Sequence, residues 1–407
     1  MVIGCWIGDG SRRGRGLALP DGGTAGNLPD VGYPVSSLVG AMLLVAALFS
    51  AGCNGPGQPT FRVGALPFHG LMLHARADPE RLGHHRYRSL TQFGDGEVGR
   101  GIIYTQKAGF VDVAHIRDTA DWARYIADRV APALREGASG IALGGSDHTR
   151  VHMRFEYPPG WWELPAAARE ELIRELAIRC GQEGAYALTT WHELITWYDY
   201  GIIPLVSERP SAFTYDDVIS HVIGLEVVGR ALRDGEPDYN AAMTHALDEV
   251  IAELGPASPE QTRQAVLAVQ GWWWKRGQAL KRHLDTGLDD GEVMPMVIEG
   301  FEVDGLGPTP SPEPFVLPKV AHLDGGGLDF SGFLHLELEP RLGLYDRLRR
   351  HIPGSPDRLA PEADIPVLIA VVRREMREEI DPHVDVLAIP ARYAGEGDDV
   401  PRARAGE

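Results

Sequence analysis

Cysteine is almost absent from this chain. Cys5, Cys53 and Cys180 are the three in 407 residues, too few and too scattered for a disulfide framework or a four-thiolate zinc site. Positive charge is short as well. Lys+Arg 39 against Asp+Glu 57 leaves a formal net charge of -18 at pH 7, which disfavours nucleic acid or an anionic lipid surface as the main partner. No repeat of fixed period is present. Gly325-Gly326-Gly327 lacks the lysine and helix context of a phosphate loop. Neither Ser207 nor Ser211 carries the Gly-x-Ser-x-Gly elbow of a nucleophilic serine. What remains is a globular composition, 44% hydrophobic, ample for the core of one large domain or two ordinary ones.

Long apolar runs are scarce too. The run over 38–52, with about a dozen apolar residues ending in small ones, fits a signal-peptide core better than a membrane span. Small residues directly before Cys53 resemble a bacterial lipobox, in which cleavage before the cysteine precedes its lipidation; residues 54–59 then read as a flexible tether. Ser50 stands where lipoboxes usually carry leucine, and Arg12, Arg13 and Arg15 lie far upstream, so initiation is expected between Val31 and Val35. The expected organisation is a signal region over 1–52, a lipidated tether over 53–60, a main domain over 61–392 and a disordered polar tail over 393–407. The partner this address implies is a lipid bilayer reached through Cys53, with the chain in the cell envelope, facing the periplasm or the cell surface.

Patterning predicts an α+β domain, helix-dominated, with a small β-sheet built from strands near Ile102, Ile141, Met153 and Leu336. A helix is predicted over 112–130, and a hairpin around Gly144-Gly145-Ser146-Asp147. Two helices are predicted next, from Pro165 to Cys180 and from about Glu183 to Tyr200, punctuated by Gly181 and Gly184. Ser211 to Asp217 reads as an acidic helix start leading into 218–232. Ser258-Pro259-Glu260-Gln261 reads as a capping box opening a helix through Leu280 that contains Trp272-Trp273-Trp274. The Pro- and Gly-rich stretch 305–318 is a linker or long loop, and 365–372 is predicted to begin extended before a helix over 373–380.

Two segments carry chemistry. Trp191-His192-Glu193-Leu194-Ile195-Thr196 is half of an H-E-x-x-H zinc motif, with Thr196 where the second histidine belongs. A metal at His192 needs donors from elsewhere, and His115, Asp118 and Glu208 are the natural ones, with Glu183 another. The second segment is 109–122, where helical spacing puts Asp112, His115 and Thr119 on one face and lets Asp118 reach His115. The competing reading of both is a buried polar network that specifies packing and does no chemistry. Cys180, at a helix end before glycine, reads as structural, and the tryptophan triplet as core, with stacking on a sugar or peptide as the alternative.

The ordered strings Gly-Ile-Ile-Tyr-Thr, Gly-Phe-Val-Asp-Val-Ala-His-Ile-Arg-Asp-Thr-Ala-Asp-Trp, Trp-His-Glu-Leu-Ile-Thr-Trp-Tyr and Ser-Glu-Arg-Pro-Ser-Ala-Phe resemble an uncharacterised bacterial lipoprotein family, domain of unknown function 4056. The likeness runs from about Phe61 to Ile380. It implies an exported lipoprotein, and it singles out Asp112, His115, Arg117, Asp118, His192, Glu193, Thr196 and Glu208. The functional expectation is an envelope lipoprotein with a His/Asp/Glu site between two helices, acting as a metal-assisted hydrolase of an envelope substrate such as a polymer or peptide. His115, Asp118, His192 and Glu208 would hold a divalent metal such as zinc, Glu193 would act as general base, and Arg117 would steady an oxyanion. The alternative is a non-catalytic envelope binding or scaffold protein.

Overall fold

The computed structural model describes residues 57–59, 61–62, 76–88, 101–198, 209–275, 278–303 and 307–380. The expected signal region, Cys53, Glu208 and the tail lie outside them. The fold is α+β, as expected, with seven α-helices among the described residues and small antiparallel sheets. None of these helices is long and apolar enough to cross a membrane.

A short hairpin, β1 (Ile102–Thr105) and β2 (Gly109–Asp112), feeds directly into α1 (Val113–Arg135). Asp112 ends the strand and caps the helix. Its backbone is extended, and its carboxylate accepts the Ala114 N–H at 2.7 Å, satisfying one of the orphan donors of the first turn. Along much of its length α1 is buried on more than its apolar stripe: Arg117, Asp118, Thr119 and Asp121 are buried together with Ile116, Trp122 and Ile126. A helix enclosed in this way needs partners for its polar groups as well as its apolar ones.

The structure corrects the break predicted at Gly181 and Gly184. A single helix, α2, runs from Ala166 to Trp197, 32 residues and about 48 Å long. Gly181 is there for contact: a Cβ would run into the Ala123 carbonyl of α1. The same device recurs in α3 (Asp217–Arg233), where a Cβ on Gly224 would lie 2.6 Å from the Ile116 oxygen and 2.9 Å from Thr119 Cβ. Two glycines, one on each neighbour, therefore let α2 and α3 close on α1.

Around this trio pack α4 (Tyr239–Glu253), α5 (Pro259–Ala268), α6 (Gly343–Leu348) and α7 (Pro361–Ile380). The capping box of Ser258 and Gln261 forms, but α5 ends at Ala268, short of the tryptophans. Trp273 and Trp274 are buried beyond it and Trp272 is exposed. The stretch 365–372 is helical within α7, not extended: Ile365, Leu368, Ile369, Val372 and Met376 are buried at three- and four-residue spacing, a helical period under a β-branched composition. The main sheet has β4 (Thr149–Phe155) at its centre, flanked by β3 (Gly140–Gly144) and β5 (Leu334–Pro340), all antiparallel. The strand at Ile102 pairs with β2 in a separate ladder instead of joining this sheet.

Part of the expected tether lies on the domain. Pro59 is buried, Phe61 packs on Trp122, and Arg62 forms buried ion pairs with Asp118 at 2.8 Å and Asp121 at 3.0 Å. His85 adds a contact to Asp121 at 3.0 Å. Removing one partner from such a cluster strands a buried charge, which typically costs about 3–5 kcal/mol.

Candidate metal centre

Three helix ends converge on one buried polar cluster. Asp112 and His115 come from the start of α1, Glu193 from the last turn of α2, and Asp216, Asp217 and His221 from the start of α3. Two ligand-competent trios share His115: Asp112, His115 and Asp216 form one, and His115, Glu193 and Asp217 the other, each with donor atoms within 4.8 Å of one another. His115 Nδ1 stands 3.5 Å from Asp112 Oδ2 and 4.0 Å from Asp217 Oδ1.

Backbone geometry holds the carboxylates in place. Phe213 adopts a left-handed conformation, φ 53, unusual for a bulky side chain, and its N–H donates to Glu193 Oε2 at 2.8 Å. The next residue, Thr214, donates its N–H to Asp217 Oδ2 at 2.6 Å, and its hydroxyl is shared between Asp216 Oδ1 and Asp217 Oδ1 at 2.7 and 2.9 Å. Arg282, fully enclosed, donates to the Pro210 and Ala212 carbonyls at 2.8 and 2.5 Å and so fixes the loop that carries Phe213.

The Thr119 hydroxyl lies 3.0 Å from both the His115 carbonyl oxygen and His221 Nδ1, and its one hydrogen can serve only one of them. On the other side of the ring, His221 Nε2 is buried and faces Glu193 Oε1 at 3.6 Å.

Charges in the cluster are strongly perturbed. Burial alone would raise the Glu193 carboxyl, but the imidazoles of His221, His192 and His115 outweigh it and hold it at about 2. Burial, with Asp112 nearby, raises Asp216 to about 6; burial, with Glu193 and Asp216 nearby, pushes Asp217 well above the ordinary carboxylate range. Burial depresses His221 to about 4. His115 goes the other way: burial opposes its charge, yet Asp112, Asp217 and Glu193 push it well above its ordinary value.

Of the residues singled out in the sequence, Asp112, His115 and Glu193 meet here. His192 points elsewhere, with Nδ1 3.1 Å from Asp147 Oδ2 and its ring packed on Phe61 at 4.3 Å between centroids. Asp118 is engaged by Arg62 through two hydrogen bonds. Arg117 gives one terminal nitrogen to the Leu82 and Gly83 carbonyls, at 2.7 and 3.1 Å. Thr196 is buried with its hydroxyl unpartnered. Glu208 and Cys53 fall outside the described residues. Sequence patterning misses Asp217 and His221 as a pair, although their i, i+4 spacing at an acidic helix start is the signal that marks them.

No curated protein and no solved structure matches the chain. Residues 53–284 match the family described as Protein of unknown function (DUF4056). That span covers more than half of the 407 residues and includes every member of the buried cluster. The chain belongs to the DUF4056 family.

Proposed function

We propose that this protein is an envelope lipoprotein, anchored through Cys53, that binds a divalent cation between α1, α2 and α3 and uses it for metal-assisted hydrolysis. One observation carries the reading: His115, Glu193 and Asp217 bring their donor atoms within 4.8 Å of one another, with His221 Nε2 facing Glu193 Oε1 at 3.6 Å. Bonds near 2 Å suit donors spaced as these are. Carboxylate and imidazole without thiolate favour zinc, manganese or iron(II) over softer ions.

In this reading His115, Glu193 and Asp217 hold the cation, with His221 completing the set and Asp112 and Asp216 adding negative charge. A bound cation of this kind supplies Lewis acidity and lowers the pKa of an attached water. Thr119 orients His221 from behind, the usual role of a group hydrogen-bonded to the far nitrogen of a ligating imidazole. Glu193, ionised down to about pH 2, is too weak a base to take a proton and serves as a ligand. The three-helix cluster thus replaces the ligand set of His115, Asp118, His192 and Glu208 expected from the sequence.

Elemental analysis of the purified full chain is expected to find roughly one divalent ion per protein. His221→Ala and Glu193→Gln should lose it while keeping the parent circular dichroism. A parent chain that carries no metal, and gives no calorimetric binding of Zn2+ or Mn2+, overturns the reading in favour of a polar network that only specifies packing.

A further inference from the structure

We infer that the cleft between α3, α4 and the loop over 314–319 binds an aliphatic carboxylate, an apolar chain with one anionic head, and that Arg179 holds the head. Neither the cation cluster nor the anchor enters into this binding. The cleft encloses about 530 Å3, within the roughly 300–1,000 Å3 usual for a small-molecule site. Its walls are mostly aliphatic: Val222 and Ile223 from α3, Val250 from α4, Leu254 just past it, and Phe315 and Val316 from the loop. The loop wall is fixed in place. Phe315 and Val316 pair with Val293 and Glu292, and the Leu317 N–H donates to the Gly291 carbonyl at 2.8 Å. Val316 is nevertheless 64% exposed, the most exposed large apolar side chain among the described residues. An aliphatic chain lying in the cleft would take that surface out of water.

Arg179, from α2, lines the same cleft and is its surplus charge. The side chain is half-buried, its Nε is buried without a hydrogen-bond partner, and among the described residues it forms no ion pair. The acidic groups around it are engaged elsewhere. Glu226 and Glu253 both go to Arg230, the first at 2.8 Å from Nε, the second at 2.7 and 2.8 Å from the terminal nitrogens. Glu175 takes Arg233 through a forked contact at 2.9 to 3.0 Å. Glu183 accepts the Val320 N–H at 2.5 Å, and burial raises its carboxyl to about 7, so near neutral pH it carries only part of a charge. Lys319, the other cation on the loop wall, is paired with Glu362 at 2.9 Å. A guanidinium drawn partly out of water without a counter-ion is costly, and a carboxylate offers two oxygens that match its fork. One free guanidinium balances one carboxylate; a phosphate dianion would leave excess negative charge against Glu226 and Glu253.

Calorimetry on the full chain with submicellar decanoate, decanol and acetate is the test. Decanoate is expected to bind at a single site. Decanol, the same chain without the charge, should bind about 10- to 100-fold more weakly, and acetate, the head without the chain, not measurably. Arg179→Gln should weaken decanoate by that same factor and leave decanol unchanged, whereas Arg174→Gln, exposed on the same helix, should alter neither. Val316→Glu puts a carboxylate at an exposed position on the cleft wall; it should keep the parent circular dichroism and weaken decanoate, which keeps the test decisive if Arg179→Gln fails to fold. No binding of decanoate, equal affinity for decanoate and decanol, or decanoate affinity unaltered by Arg179→Gln or by Val316→Glu overturns the inference. Tighter binding of decyl phosphate than of decanoate overturns it as well.

Discussion

Gly224→Ala is a substitution whose sign depends on tertiary structure. In an exposed helix it would stabilise by about 1 kcal/mol through helix propensity. Here the added methyl meets the Ile116 carbonyl oxygen at 2.6 Å and Thr119 Cβ at 2.9 Å. The oxygen belongs to helix backbone and cannot rotate away, so α3 must retreat from α1 by roughly half an ångström to an ångström. Overpacking of this kind costs about 1–3 kcal/mol, which leaves a net loss of about 1–2 kcal/mol after the propensity gain. The melting temperature should fall by roughly 2–8 °C. The same retreat separates Asp217 and His221 on α3 from His115 and Thr119 on α1, by more than the ±0.2 Å or so that metal–ligand distances tolerate. Denaturant unfolding together with metal titration checks both effects, and metal affinity should drop at least about tenfold. A Gly224→Ala protein more stable than the parent, with undiminished metal affinity, would refute the close-approach argument.

Thr119→Val removes the hydroxyl hydrogen-bonded to His221 Nδ1 while nearly keeping its volume; metal affinity should fall about 10- to 100-fold with little change in secondary structure, and unchanged affinity would remove Thr119 from the site. His283 is fully buried, and burial, opposed by the Met294 backbone, depresses it to about 4. The unfolded chain binds this proton near pH 6.5 and the folded chain only near 4, so stability is full above about 6.5 and declines as pH falls between the two, by up to roughly 3 kcal/mol. A His283→Gln protein should show a correspondingly flatter acid limb in pH-dependent unfolding; parallel curves for the two proteins would assign the loss to other groups.

Local pattern read along the chain reaches the α+β class, the hairpin around Gly144 and Asp147, the capping box at Ser258 and the start of α1, because each depends on residues a few positions apart. It fails where a residue serves a distant neighbour. Gly181 looks like a helix breaker until Ala123 is seen behind it, and 365–372 looks extended until its buried face appears. Charge partners are equally non-local: Asp118 looks like a partner for His115 on one helix, yet Arg62, 56 residues away, takes it.

The amino-acid sequence by itself determined that an imidazole and carboxylates lie at the start of α1 and near the end of α2, since helical spacing sets which side chains share a face. Only the tertiary structure decided which of them meet. Glu193 and His192 are neighbours in the chain but about 100° apart around the helix, so one enters the three-helix cluster and the other turns to Asp147. The third contributor, α3 with Asp217 and His221, arrives because Gly224 lets two backbones approach, a distance that no local pattern encodes.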